Sequence, residues 1–341
     1  MSAPVRTPPR LSPLVELLRC LECGSSLKVT ELRRGDDDQP AGALQCTSCQ
    51  RTYAVTRGTV RMLRSKPEPV KRQTAESFAY EWEEFGGLRP EWEKNFTDYM
   101  RPHAPDALAG KLILDVGAGS GRHSFHAARY GAQVVAVDLG TSIDVARANL
   151  PPDVLTVQAD AEDLPFDPAS FDIVMSIGVL HHLPDPERAL RSIAPYARHG
   201  GHVHIYLYWV PERASHRAVL RVVTLARRVT VSMPHRLLHA LCYPLAIGLW
   251  LGAVCPYRML RARPRARRLA DMLPLKTYAD YPFGVLVNDQ FDRFSAPLEV
   301  RYTRAEVQGL LERAGCFEVL VLANHGWVAD GRVGAGTVAG G

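Results

Sequence analysis

At 341 residues the chain is too long for one small domain and fits two modest domains or one domain with large additions. Its 46% hydrophobic and 23% charged residues support an ordinary core, which excludes wholesale disorder, collagen-like structure and a disulfide-stapled miniprotein. The net charge of +5 is uneven: residues 211–272 hold 12 Arg or Lys against Glu212 and Asp271, a local +10 that leaves −5 for the rest. The basicity therefore belongs to one added segment of an acidic, enzyme-like body and is no global nucleic-acid signature.

In chain order, residues 1–19 are Pro-rich and loosely ordered as far as Ser12. Glu16 breaks the apolar run Leu14–Leu18, so no signal peptide is expected and the chain reads as cytoplasmic. Two CxxC pairs follow, Cys20/Cys23 and Cys46/Cys49, separated by 22 residues. Each pair makes a knuckle presenting two thiolates, and two knuckles complete a tetrahedral four-cysteine zinc site. Such a site is closed, so the metal is expected to be structural. GDDDQPAG between the pairs reads as an exposed hairpin tip, and Cys242, Cys255 and Cys316 read as packing residues.

A charged linker, residues 65–72, leads to the aromatic stretch SFAYEWEEFGG. From 111 onward short apolar runs alternate with helical periodicity. Strands are expected at 112–116, 134–137, 155–157, 171–177 and 202–208, and helices at 122–130, 141–149 and 186–197. That alternation predicts an α/β, Rossmann-like parallel sheet with helices on both faces. It stops near Trp209 and resumes with a helix at 304–314 and a strand at 316–323. The expected organisation is a zinc ribbon over 1–66, a linker and helical lid over 67–110, a core over 111–208 and 303–341, and a basic, apolar, largely helical insertion over 209–302. The final GRVGAGTVAGG reads as a disordered tail.

The first core strand runs into Asp115-Val-Gly117-Ala118-Gly119-Ser-Gly121, a glycine turn opening a helix, where a ligand reaches the backbone closely. A dinucleotide fold uses G-x-G-x-x-G, but here Arg122 stands at the third glycine's place. Asp115 would repel a pyrophosphate and attract an ammonium group. Asp138, closing the second strand with Leu139 after it, suits a ribose diol; Asp160, closing the third, suits the exocyclic amine of adenine. A single such Asp is ordinarily a capping residue, but three at successive strand ends beside a glycine loop point to a cationic, phosphate-free adenosine ligand, S-adenosylmethionine.

LILDVGAGSGRH, VVAVDLG, VQADAEDLPFDPASFDIVMSIGVLHHLPDP and the glycine pair before HVHIYLY resemble the successive motifs of class I S-adenosylmethionine-dependent methyltransferases, most closely the quinone-biosynthesis-like branch. The resemblance implies a seven-stranded sheet with a reversed last strand. It also implies that Asp115, Gly117, Ala118, Gly119 and Gly121 line the methionine part, that Asp138 and Leu139 hold the ribose, and that Asp160 and Ala161 hold the adenine. Ile177 and Gly178 would pass beneath the sulfonium. A likeness to relatives with an N-terminal lid casts Phe78, Tyr80 and Trp82 as a cover; an amphipathic helix packing its aromatics would look the same. The segment ending RTYAVTRGTVRML resembles the small zinc-ribbon protein that activates tRNA and translation-factor methyltransferases, here fused in cis.

Methyl transfer from a sulfonium chiefly needs positioning and exclusion of water, with a base only for a weak acceptor. His181 and His182, after the fourth strand, are the candidates, against the reading that they only hydrogen-bond backbone. Asp185 suits a helix cap before Pro186. In the insertion, residues 240–257 carry no charge and six arginines follow, Arg258, Arg261, Arg263, Arg265, Arg267 and Arg268. Eighteen residues is at the lower limit for a membrane span, which needs ~20, and Pro244 and Pro256 weaken a straight helix. The segment 237–268 is expected to cover an apolar acceptor pocket, to lie on an anionic membrane surface, or both, in preference to binding nucleic acid. Asp289, Asp292 and Arg293 are expected to reach the acceptor. The expected activity is O- or C-methylation of a small, apolar or lipid-like acceptor; the alternatives are an RNA or protein methyltransferase and a non-catalytic cofactor-binding scaffold. The acceptor, oligomeric state and pathway are not legible in the sequence.

Overall fold

The computed structural model describes residues 10–212, 214–263, 266–270 and 275–334. They fall into two compact units, one within residues 1–82, 86–210 and 298–341, the other comprising 83–85 and 211–297.

The first unit opens with β1 (Leu27–Arg34), β2 (Pro40–Cys46), β3 (Thr52–Thr56) and β4 (Thr59–Arg61), each antiparallel to the next. The β1–β2 tip falls in GDDDQPAG as expected, where Asp38 takes a left-handed φ of 63°. Helix α1 (Pro69–Phe85) starts inside the segment read as linker; Pro69 at its first turn has no N–H to lose there, and its ring presets the helical φ. Helix α2 (Glu91–Tyr99) follows. The alternating core then runs β5 (Leu112–Val116), α3 (Arg122–Arg129), β6 (Gln133–Asp138), α4 (Ser142–Asn149), β7 (Leu155–Gln158), β8 (Phe171–Ile177), α5 (Pro186–Ile193) and β9 (Ala197–Leu207).

The second unit carries α6 (Ala214–Thr230), α7 (His235–Leu249), α8 (Cys255–Arg261), α9 (Arg267–Ala270) and α10 (Phe283–Ser295). The chain returns to the first unit with α11 (Arg304–Arg313), β10 (Cys316–Ala323) and β11 (Trp327–Val333). Trp209 and Tyr302 pair as a parallel bridge, and Val210 N–H donates to the Tyr302 carbonyl at 2.9 Å. Those residues close the first unit, so the edges of the second lie inside the expected 209–302.

Strand order β7-β6-β5-β8-β9-β11-β10, with β11 antiparallel to both neighbours, is the seven-stranded class I methyltransferase sheet with its reversed last strand. Two features depart from expectation. Gly331, Arg332 and Val333 belong to β11 rather than to a disordered tail; the remainder of that call, 335–341, lies outside the described residues. The ribbon also joins the core sheet, because β4 pairs in parallel with β7 (Val60 with Val157, Arg61 with Gln158) and makes eleven strands among the described residues. β7 would otherwise be an edge with unpaired backbone groups, and β4 covers it. The seam is buried: Thr59 and Thr156 hydroxyls meet at 3.1 Å, and Met62 N–H donates to the Gln158 carbonyl at 2.8 Å. Leu44, Tyr53, Val55, Val60 and Met62 pack in one buried cluster with Val135, Val137 and Val157.

In the second unit the helix passes through Pro244 and continues by a π-helical turn, Trp250–Val254, into α8 with Pro256 at its start. A widened turn is one way to accommodate a missing N–H and the ring's bulk.

Because Met62 is completely buried in a core common to ribbon and sheet, Met62→Ala is expected to destabilise the first unit by ~2–5 kcal/mol. Chemical denaturation followed at separate ribbon and core probes should show one shared transition moving to lower denaturant.

Candidate functional site

Of the expected residues, Asp115, the glycine loop, Asp138, Asp160, Ile177 and Gly178 lie at the carboxyl ends of four adjacent strands. Asp115 is buried near the end of β5, its Oδ2 accepting from the Ser124 hydroxyl at 2.7 Å. Gly117 and Ala118 N–H groups both donate to the Val137 carbonyl, at 2.8 and 2.9 Å, folding the glycine loop onto β6. Asp138 fastens that fold: Oδ2 accepts from Gly119 N–H and Oδ1 from Gly140 N–H, each at 2.9 Å. Gly119 has a φ of +55°, and a Cβ there would lie 2.8 Å from the Trp82 indole nitrogen, so only glycine lets that ring cover the loop.

Helix α1 supplies the cover. Phe78 and Trp82, one turn apart, fall on one stripe; Tyr80 lies off it, half-buried. The Phe78 ring meets His182 edge-on at 5.0 Å. The Arg122 guanidinium lies 5.5 Å from the Trp82 ring and 5.4 Å from that of Trp92, a cation between two aromatic faces at the mouth of the loop. Arg122 stood out only for replacing a glycine; Trp92 gave no periodic signal.

Asp160, after β7, has a partner that the linear sequence hides. The buried Lys71 ammonium, from the first turn of α1, lies 3.2 Å from its carboxylate and 2.7 Å from that of Glu162. Asp160 Oδ1 also accepts from Glu162 N–H at 3.0 Å, with Ala161 between them. The charged linker thus ties the lid helix to the third strand end. At the end of β8 Ile177 is buried, and Gly178 after it has a φ of +80°, with nothing within 4 Å of where a Cβ would stand. Backbone at that point faces open space. Leu139 offers its carbonyl to Gln158 Nε2 at 3.0 Å.

His181 and His182 occupy a short turn after β8. His182 Nδ1 lies 2.8 Å from the Leu298 carbonyl, so it carries the proton and the neutral ring leaves Nε2 free to accept. His181 is fully buried with neither ring nitrogen partnered, its ring tilted by 35° against that of Tyr208 with centroids 4.0 Å apart. Burial, then the charges of His182 and Arg301, hold its pKa well below the ordinary histidine value, so it is neutral. The Arg301 guanidinium sits 5.1 Å from the Tyr208 ring, and neither residue was singled out in the sequence. Asp185 caps α5, accepting from Arg188 N–H at 2.9 Å.

Asp289, Asp292 and Arg293 stand together on α10 in the second unit. There Asp289 accepts from the Tyr278 hydroxyl, and the Arg293 carbonyl accepts from Arg227 Nε at 3.0 Å.

In the ribbon, Cys20 and Cys49 sulfurs lie 3.5 Å apart, as do those of Cys23 and Cys46, and all four fall within 4.8 Å of one another. These separations are too long for a disulfide and close to the ~3.8 Å edge of a tetrahedron with ~2.3 Å metal–sulfur bonds. The four cysteines fit a zinc-type ion.

With this geometry, likeness to known proteins is informative for the core. Residues 114–205 match a family model described as a methyltransferase domain. The tRNA U34 carboxymethyltransferase of Marinobacter nauticus is 38% identical over 120 residues, 33% of this chain and 36% of that protein. The ubiquinone biosynthesis O-methyltransferase of Proteus mirabilis is 37% identical over 113 residues, 31% of this chain and 45% of that one. The chain spans under half the length of these curated relatives. Among solved structures, human N-acetylserotonin methyltransferase in complex with SAM superposes with a TM-score of 0.46 at 13% identity, covering 80% of this chain and 61% of that one. A complex containing the Haloferax volcanii Trm112 methyltransferase activator gives 0.41 at 15% identity, covering 79% of this chain and 100% of that one.

Burial raises the Asp115 carboxyl to about 7 from an ordinary 3.8, with Ser124 donating against that rise and Asp138 adding to it. Between those values the folded chain binds a proton the unfolded chain has released. Stability is therefore expected to fall by ~2–4 kcal/mol as pH rises from about 4 to about 7, and to level off above. In Asp115→Asn that slope should disappear from denaturation midpoints measured across the range.

Proposed function

We propose that the chain transfers the methyl group of S-adenosylmethionine to an apolar acceptor met at a membrane surface. The observation that carries the cofactor assignment is the set of three carboxylates, Asp115, Asp138 and Asp160, at consecutive strand ends around the glycine loop. Asp115 is buried without an ion pair among the described residues, and a ligand ammonium would supply one. Asp138 keeps acceptor capacity for a ribose diol beyond its two backbone donors. Asp160 would share its carboxylate between Lys71 and an adenine amine.

The bound sulfonium would supply an activated methyl group for in-line displacement. Phe78, Trp82 and Arg122 exclude water from the loop and hold it shut. His182, with Nδ1–H committed to the Leu298 carbonyl, can take an acceptor's proton at Nε2; neutral His181 is the second candidate base. The four cysteines would hold structural zinc, a closed site outside the chemistry.

The second unit supports the acceptor class. Helix α7 is uncharged from Leu237 onward, yet only the stripe Leu238, Cys242 and Ala246 is buried; Leu237, Leu241 and Leu245 face outward. On α6, Val219, Val222, Leu225 and Val229 share one face at helical spacing, each more than half exposed. Arg217, Arg221, Arg228, Arg236, Arg258 and Arg261 accompany them on α6–α8. Among the described residues, His235–Arg261 is one helical run of 27 residues, mean hydropathy 1.8 over its most apolar window and 28% of that window buried, long and apolar enough to cross a membrane by length and composition. Exposed apolar faces on helices that also carry several arginines suit an anionic lipid interface. An enzyme held there meets acceptors that partition into lipid.

Co-sedimentation with anionic vesicles is expected, weakened at least about tenfold by Leu225→Glu with Leu241→Glu. Methyl-labelled cofactor should then deliver label to the organic phase of a vesicle-bound lipid extract. Label in RNA, with salt-sensitive RNA retention and no vesicle binding, would overturn the acceptor class and leave the cofactor assignment standing.

A further inference from the structure

We propose that His103, His204 and Asp330 form a second metal site, for a divalent ion of zinc type, separate from both the cysteine cluster and the glycine loop. Asp330 on β11 and His204 on β9 are direct cross-strand partners, and His103 comes from the turn after α2. His204 is fully buried, and Asp330 and His103 nearly so, with side-chain exposures of 6% and 13%. One ligand atom from each of the three lies within 4.8 Å of the others.

Accounting for protons on His204 calls for a cation. Its Nε2 lies 2.7 Å from the Tyr99 carbonyl, which can only accept, so Nε2 carries a proton. In the neutral ring Nδ1 is then a lone pair, yet it faces Asp330 Oδ1 at 3.2 Å, another acceptor. Two lone pairs in contact inside a protein repel unless a second proton or a metal ion lies between them. Nε2 of His103 also converges on that oxygen, at 2.6 Å. Two imidazoles and one carboxylate oxygen thus meet at a point.

Around this trio are the groups that usually orient metal ligands. The Tyr99 carbonyl fixes the His204 tautomer that presents Nδ1, and His202 Nδ1, 2.8 Å from Asp330 Oδ2, holds the other carboxylate oxygen. Neighbouring ligand atoms of a tetrahedral zinc with ~2.0–2.1 Å bonds stand ~3.3 Å apart. The His204–Asp330 separation already fits, and the shorter His103 contact opens through a turn rather than a strand. Imidazole and carboxylate together favour zinc or a similar divalent ion over soft monovalent copper. Three protein ligands leave a fourth position for water. The ion would pin the turn following α2 to the β9–β11 pair.

Metal content of the full-length chain, after dialysis against a weak chelator, tests this directly. Two zinc ions per chain are expected, falling to one in Cys23→Ser/Cys49→Ser and to one in His103→Gln, whose position on a turn spares the sheet. Cobalt loaded into the cysteine variant should give ligand-field bands without thiolate charge transfer, absent when His103→Gln is added. A single zinc that the cysteine variant loses and His103→Gln keeps, with no cobalt spectrum in the cysteine variant, would overturn the site and leave His204 as a buried imidazolium paired with Asp330.

Discussion

The Asp138 carboxylate, pinned between two backbone N–H groups, is the constraint on which the site depends. One oxygen holds Gly119 in the loop after β5 and the other holds Gly140 in the turn after β6. Both turns are thereby fixed relative to the sheet before any ligand arrives, which is what preorganisation requires. Burial raises the pKa of Asp138, against the pull of its backbone donors, so the fixed loop and a charge-sensitive carboxylate come from one side chain. Trp82 then closes over Gly119, and Arg122 stands between Trp82 and Trp92.

A second constraint is continuity of the sheet. The ribbon lends β4 to an edge that the methyltransferase core would otherwise expose, and its Leu44, Tyr53 and Met62 enter the same buried cluster as the core valines. A metal that orders the ribbon therefore also supports β7, whose end carries Asp160. Lys71 extends this from the other direction, tying α1 to Asp160 and Glu162. Helix α1, the ribbon and Asp160 are mechanically one assembly within the first unit.

Much of this was legible in the sequence because it rests on local pattern. Buried parallel strands show as short apolar runs, the loop shows as glycines at a strand end, and the cysteine knuckles show by spacing. Long-range pairing was not legible. Nothing local in Thr59–Arg61 says that it adds to β7, and Lys71 looked like linker charge because its partners lie 89 and 91 positions away. The end of β11, Gly331–Val333, was read as the start of a tail, whose glycines and lack of apolar alternation carry no strand signal. The interior aspartate of β11 is tolerated in the sheet because three histidines surround it. The α7 helix was doubted for its prolines, and the π-helical turn just before Pro256 is a feature that composition does not foretell.

As proposed, the three strand-end carboxylates and the glycine loop together hold S-adenosylmethionine. Calorimetric titration of the zinc-loaded chain with S-adenosylmethionine and its demethylated product, with NAD as control, tests it most directly. Micromolar binding of both adenosine ligands, none of NAD, and loss of binding in folded Asp138→Ala are expected. Binding that survives Asp138→Ala unchanged, or folded protein that takes NAD in preference, would contradict it.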